Sequence, residues 1–521
     1  MPQIYFTRKS DNRTETFFAE TTMNKIGKSC SAYLISMYES LPDYLMSCLD
    51  YCAIVTKRYP VVKDKIVRLL LAESLILEIE GEIIDNTAKN IIEELIDLGV
   101  VQEKNSWHEM EVPELYSKLC LVEVDEMEFF AKAVNLPVRA VIEDDGKDIP
   151  PDFRTLQIRS LFLITADRRS SSFASTPGLS PAYLATICKL KRLLVLDLDG
   201  KLERLPEEVC NLVHLRYLGL YWSYLDELPH TLGNLQNLQT LDISGCGQLM
   251  DELPMQVLNI QQLRHLIMSK TINDREIRVS SGIRTLKNLH TLDGVYAGGG
   301  IANELGSLTQ LQRLSVRRVS EDHASELFAA ITKMENLVSL SLQAEGHRRS
   351  LLPELESFSP PTFIQGLTLL GGLVEIPIWL ASMDNLTMLS LCYSNLLENP
   401  TPALQYLPKL KLLYIGDAYK VKCIGKEFCK AGGFPKLETL VFSSERFLVE
   451  WTEIVNGAFP SLRHLEFHNC MNLSFLPEGL QNISTLEELI LFNTHKDLRR
   501  RLLGEENYKI KHISEVKIWP R

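Results

Sequence analysis

Residues 193–220 read LLVLDLDGKLERLPEEVCNLVHLRYLGL and contain the phrase Leu-x-x-Leu-x-Leu twice, as Leu193/Leu196/Leu198 and Leu215/Leu218/Leu220. The phrase or a close variant recurs thirteen times between Leu193 and Leu491, at intervals of 22 to 27 residues. Later copies include Leu238/Leu241/Ile243, Leu337/Leu340/Leu342, Leu410/Leu413/Ile415 and Leu486/Leu489/Leu491. In each copy the last two apolar residues lie two apart, so both point to one side of a short strand while the residue between them points to the other. A single unit has nothing against which to bury its apolar side; a stack of units does.

That period is the one expected of leucine-rich repeats, an α/β solenoid shaped as a horseshoe, here spanning residues 156–521. Between the strand phrases stand Leu205-Pro206, Leu228-Pro229, Leu253-Pro254, Ile376-Pro377 and Leu476-Pro477. Proline has no N–H to give a sheet, so these dipeptides belong to the convex return of each repeat. Ile158–Ile164 (IRSLFLI) reads as a degenerate opening repeat. The stretch from His495 to Arg521 reads as a closing helix and strand that cap the core.

Composition narrows the setting. A net charge of −12 argues against a nucleic-acid surface, which needs concentrated Lys and Arg. The first residues, MPQIYFTRKSDNRTETFFAE, lack the apolar core of a secretory signal, and nothing elsewhere has the ~18 apolar residues of a membrane span. The eleven cysteines are scattered and odd in number, which suits a reducing compartment, so a cytoplasmic location is expected.

Ahead of the repeats the period changes to three and four. Ser40–Cys52, Lys63–Glu80 and Thr87–Leu98 read as three helices of a small domain over residues 41–120. Residues 1–40 read as a remnant or disordered segment. Residues 121–155 read as a linker, interrupted by EDDGKDIPP at 143–151. LPDYLMSCLDYCAI at 41–54, VRLLLAESLI at 67–76 and TAKNIIEELIDLGVVQ at 87–102 resemble the winged-helix segment of plant nucleotide-binding leucine-rich-repeat disease-resistance proteins. Leu41, Pro42, Leu45, Cys48, Tyr51, Cys52, Arg68, Leu69, Ala72 and Glu73 match that family's pattern. The resemblance implies a role in defence, with a pathogen effector, a host protein or a full-length resistance protein as partner. It also implies a nucleotide-binding domain ahead of this segment. Of that domain's phosphate loop only Ile26-Gly27-Lys28-Ser29 is found, with Thr22 where the first glycine would stand. The alternatives are therefore a nucleotide-dependent switch whose nucleotide-binding domain lies outside this chain, or a truncated product without function.

No cofactor, metal or catalytic constellation is expected. His108 occupies the family's nucleotide-sensing position with altered neighbours and reads as a structural or surface histidine. Cys48 and Cys52, four apart on one helix face, lack the further ligands a zinc ion needs and read as buried thiols. Partner binding is expected on the concave strand face instead. There the outward positions bring together Tyr217, Tyr221, the adjacent Trp222, Asp242 and His265, followed by Arg313 and Arg317, and aromatic and arginine side chains dominate interface energetics.

Overall fold

The computed structural model describes residues 3–7, 35–77, 83–104, 108–124, 138–143, 155–164, 179–200, 202–221, 223, 225–246, 250–269, 277–346, 350–373, 375–397 and 399–519. Its internal contacts divide the chain into two units, Met1–Arg275 and Glu276–Arg521.

The first unit begins with helices α1 (Asp43–Val55), α2 (Lys63–Ala72), α3 (Ile84–Asp97) and α4 (Glu114–Cys120). Pro42 occupies the N-cap of α1, and Asp43, Asp64 and Asp85 sit in the first turns of α1, α2 and α3, where carboxylates favour the helix dipole. α3 stops at Gly99, whose positive φ lets Gly99 N–H and Val100 N–H bond back to the carbonyls of Ile96 and Leu95. The helix expected over Lys63–Glu80 ends sooner, at Ala72, because Ser74 turns into the left-handed region with φ 59°. A small antiparallel sheet of Val61–Val62, Glu109–Glu111 and Gln102–Glu103 lies beside the helices, with Glu109–Glu111 in the middle.

Gln3–Thr7, expected within a remnant or disordered segment, is a strand. It pairs antiparallel with Leu121–Val124 on one side and Val138–Glu143 on the other, so those two stretches of the expected linker are also sheet. The parallel ladder then runs through Ile158–Ile164, Val195–Asp199, Tyr217–Tyr221, Thr240–Asp242 and His265–Ile267. Its register puts Leu161, Leu196, Leu218, Leu241 and Leu266 in one fully buried row and Phe162, Asp197, Gly219, Asp242 and Ile267 in the outward row beside it. The helices and repeats share one core: Leu49, Tyr51 and Leu70 pack in the same cluster as Val141, Phe162, Val195 and Tyr217.

The second unit continues the pattern in parallel from Thr291–Tyr296 and Arg313–Val319 to Glu488–Phe492 and Glu515–Trp519. Aromatic rings extend its leucine rows inward. Phe434 stacks on Phe459 at 5.5 Å and Phe442 on Phe467 at 5.3 Å, while Trp451 meets Phe428 and Phe442 edge-on. The return segments are mostly single 3₁₀ turns. Pro206, Pro229, Pro254 and Pro377 stand at their N-caps, where the fixed proline φ starts the turn and no N–H is missed.

Leu241 is fully buried in the middle of its row. Replacing it with Asp places a carboxylate without a partner among leucines and should cost several kcal/mol, on the order of 3 to 5. Chemical denaturation should show the loss; an unchanged midpoint would contradict the register.

Candidate functional site

The sequence pattern gives the outward residues of the first repeats to solvent; the structure gives them to α2 and α3. Lys65 and Arg68 lie three apart on α2 and therefore share a face, which is laid over the strands. Lys65 Nζ is 2.7 Å from Asp197 Oδ2 and 5.5 Å from the Tyr221 ring centre, and Arg68 is 3.6 Å from Asp242 Oδ2. From α3, Asp85 Oδ1 lies 3.5 Å from His265 Nε2. Tyr217 is fully buried and donates its hydroxyl to Asp242 at 3.4 Å; burial is the main cause that pushes its pKa well up. Between the two acids Gly219 has no side chain, and a Cβ there would collide with the Asp197 carboxylate and come within 2.9 Å of the Tyr217 ring. This glycine makes the floor on which the two carboxylates and the phenol fit.

The expectation of a solvent-facing patch is thereby corrected. Tyr217, Asp242 and His265 are buried and Tyr221 is half-buried, because basic and acidic groups of the chain's own helices lie over them. Trp222 lies outside the described residues. In the second unit Arg313 faces outward from its strand and is half-buried, whereas Arg317 is buried and donates from Nε to Gln343 Oε1 at 3.0 Å. His108 is exposed, with φ 56°, and its Nδ1 pairs with Glu103, a bond that raises its pKa. Cys48 and Cys52 are fully buried, and burial pushes the Cys48 thiol up to about 12. Among the described residues no cluster of His, Cys, Asp and Glu could hold a metal ion.

A second polar contact fixes the end of α2. Glu73, whose side chain has no exposed surface, accepts from Arg139 Nε at 3.0 Å, Arg159 Nε at 2.8 Å and Ser160 Oγ at 2.5 Å. Ser160 in turn lies 3.0 Å from the hydroxyl of Tyr51, whose ring carries the Arg139 guanidinium at 5.6 Å. Arg216 closes the joint with bonds to the Ala72 carbonyl and Ser74. Lys65, Asp85 and Ser160 have no place in the sequence pattern, and Arg68 has one only as a match to the family's winged-helix phrase. The available signal was Lys65 and Arg68, three apart in the helix KDKIVRLLLA, whose shared face needed acids opposite it.

The outward row of the second unit is different in kind. Ser315, Ser341, Thr368 and Ser390 are direct neighbours on successive strands, followed by Tyr414 and Val441. Ser315, Ser341, Thr368 and Tyr414 are half-exposed. Beyond the strand ends Glu445 is buried and accepts from Ala418 N–H at 2.8 Å and Tyr419 N–H at 3.2 Å. Burial outweighs these bonds and pushes its carboxyl up to about 8.

Two outcomes follow for stability. Glu73→Ala removes the carboxylate that joins Arg139 and Arg159, and should cost about 3 kcal/mol in equilibrium unfolding. Glu445 has a folded pKa above its ordinary value of 4.5, so its protonation favours the folded state. That stabilisation is complete below the ordinary value and lost as pH rises through about 8. The melting temperature should therefore fall between roughly pH 5 and pH 9, and Glu445→Gln should flatten this slope; an identical slope in the variant would assign the dependence elsewhere.

No helix among the described residues is long and apolar enough to cross a membrane. The chain is similar to the probable disease resistance RPP8-like protein 2 of Arabidopsis thaliana, with 28% identity over 92% of this chain and 54% of that protein. It is similar also to the disease resistance protein RPM1 of the same plant, with 27% identity over 92% of this chain and 53% of that one. The chain thus spans about half the length of the curated relatives it matches. Among solved structures, a leucine-rich-repeat protein of Leptospira interrogans matches with a TM-score of 0.42 at 19% identity, covering 72% of this chain and 94% of that one. The family model described as leucine-rich repeat region matches residues 172–516, the stretch that carries the strand ladder from its second repeat onward, and by that match the chain belongs to the leucine-rich repeat family.

Proposed function

We propose that this chain is the recognition part of a plant disease-resistance receptor and holds a pathogen-derived or host protein against the outward side of its repeat strands, within the cytoplasm. The similarity to disease-resistance proteins supports the defence role. The observation that carries the location is the in-register run Ser315, Ser341, Thr368, Ser390 and Tyr414, with Arg313 beside its start. Each hydroxyl can donate and accept, and short side chains lose little rotamer freedom on binding. Tyr414 and Arg313 supply the larger anchors. Tyr221, Asp242 and His265 are engaged by α2 and α3, so recognition rests on the second unit and Arg313 in particular. Binding requires no chemistry from these residues.

A second reading, an ADP/ATP-dependent switch, draws on the length relation: relatives nearly twice as long leave room for a nucleotide-binding domain outside this chain. It differs from the first in requiring nucleotide for partner capture.

The test is capture of a partner from infected tissue with the full chain. Thr368→Arg combined with Ser341→Arg should lower capture at least tenfold with an unchanged melting temperature, while Glu208→Ala on the return side leaves it intact. Full capture by the double variant would move recognition off this face, and capture that appears only with added ADP or ATP would favour the switch.

A further inference from the structure

The last strand, Glu515–Trp519, is paired on one side. It runs parallel to Glu488–Phe492, with Glu515 N–H bonding the Glu487 carbonyl at 2.9 Å and the Trp519 carbonyl accepting from Asn493 N–H at 3.2 Å. In a parallel ladder alternate residues turn both backbone groups to the same neighbour. Glu515, Lys517 and Trp519 therefore face the preceding strand, and Val516 and Ile518 present their N–H and C=O groups to the other edge. Among the described residues the one ladder register of this strand is the one with Glu488–Phe492.

Side chains at this edge are also unfinished. Val516 and Ile518 continue the rows of Leu489 and Leu491, yet they remain half-exposed where those leucines are fully buried. The last two strands and the segment between them expose further apolar groups: Phe492 at 42%, Trp519 at 46%, Leu503 at 64% and Tyr508 at 41%. An edge with free backbone groups and apolar flanks is a template for another strand.

We infer that this edge pairs antiparallel with the same edge of a second copy of the chain, centred on Val516. Three symmetric registers are open to the strand, and charge and backbone decide among them. A pairing centred on Ile518 would set Pro520, which has no N–H to give, opposite Val516. A pairing centred on Lys517 would bring two lysines face to face. The pairing centred on Val516 lets Val516 exchange both backbone bonds with its counterpart and sets Ser514 against Ile518. It also places Glu515 of each copy directly opposite Lys517 of the other, twice across the two-fold axis. Val516 and Ile518 of both copies then share one inward row. Lys517 already bonds Glu488 at 2.5 Å and Glu515 at 3.0 Å, so its ammonium is held on the face where the second copy's carboxylate arrives.

Sedimentation of the full chain across roughly 1 to 100 µM should show a monomer giving way to a dimer. Glu515→Lys and Lys517→Glu each set like charges against each other at both crossings and should weaken dimerisation at least tenfold. An equimolar mixture of the two variants restores opposite charges at both crossings and should form a heterodimer. Amide exchange in the unmodified chain supplies a reading free of substitutions: Val516 and Ile518 should be protected at high concentration and exchange fast on dilution. A chain that stays monomeric throughout, variants that dimerise as well as the parent, a mixture that remains monomeric, or exchange at Val516 and Ile518 that ignores concentration each overturns the pairing.

Discussion

The buried carboxylate of Glu73 sets the position of everything that touches α2. A lone carboxylate in that place would be strongly disfavoured, and it persists because Arg139, Arg159 and Ser160 converge on it from the first strands of the sheet. The arrangement adds little net stability, since its four polar groups give up water to form it. Its effect is geometric. With the C-terminal end of α2 tied to those strands, the preceding turns of the helix lie over the next repeats, and Lys65 and Arg68 arrive at Asp197 and Asp242. Tyr51 connects the same group to α1, so the helices and the opening of the ladder have one core.

This joint explains what could be read from the residues and what could not. The strand register was legible row by row: Leu196, Leu218, Leu241 and Leu266 are neighbours as their spacing requires, because period-two alternation and leucine packing are local and repeated. The closing helix and strand at Lys496–Leu502 and Glu515–Trp519 follow from the same logic. The surroundings of the outward row were not legible. A strand pattern says that Asp197, Tyr217 and Asp242 leave the leucine side, and nothing local says that a helix more than a hundred residues earlier in the chain lies over them. Gln3–Thr7 failed for the same reason, since its partners Leu121–Val124 and Val138–Glu143 are far along the chain. The early end of α2 turned on a left-handed Ser74 that no composition signal announces.

Within the candidate site the outward rows of the two units differ by what faces them. Acids and aromatic groups on the first strands are matched by bases on α2, a complementarity written across two distant parts of the sequence. Of the hydroxyls on the second unit's strands, Ser315, Ser341, Thr368 and Tyr414 stay half-exposed. Short residues in such positions keep the strand face shallow, and a ligand of that face has to bring its own bulk.

The clamp of Lys65 on Asp197, Arg68 on Asp242 and Asp85 on His265 also sets where this protein can be recombined. Composition suggests a seam between the helices and the first repeat, near residue 155, but a chimera joined there would separate each base from its acid and take Arg159 and Ser160 away from Glu73. The strands up to His265–Ile267 have to travel with the helices, and a graft of foreign repeats becomes tolerable only beyond them. Lineages that exchange repeats by recombination would be held to the same junction, so variation in the two parts of the repeat array need not follow a common history.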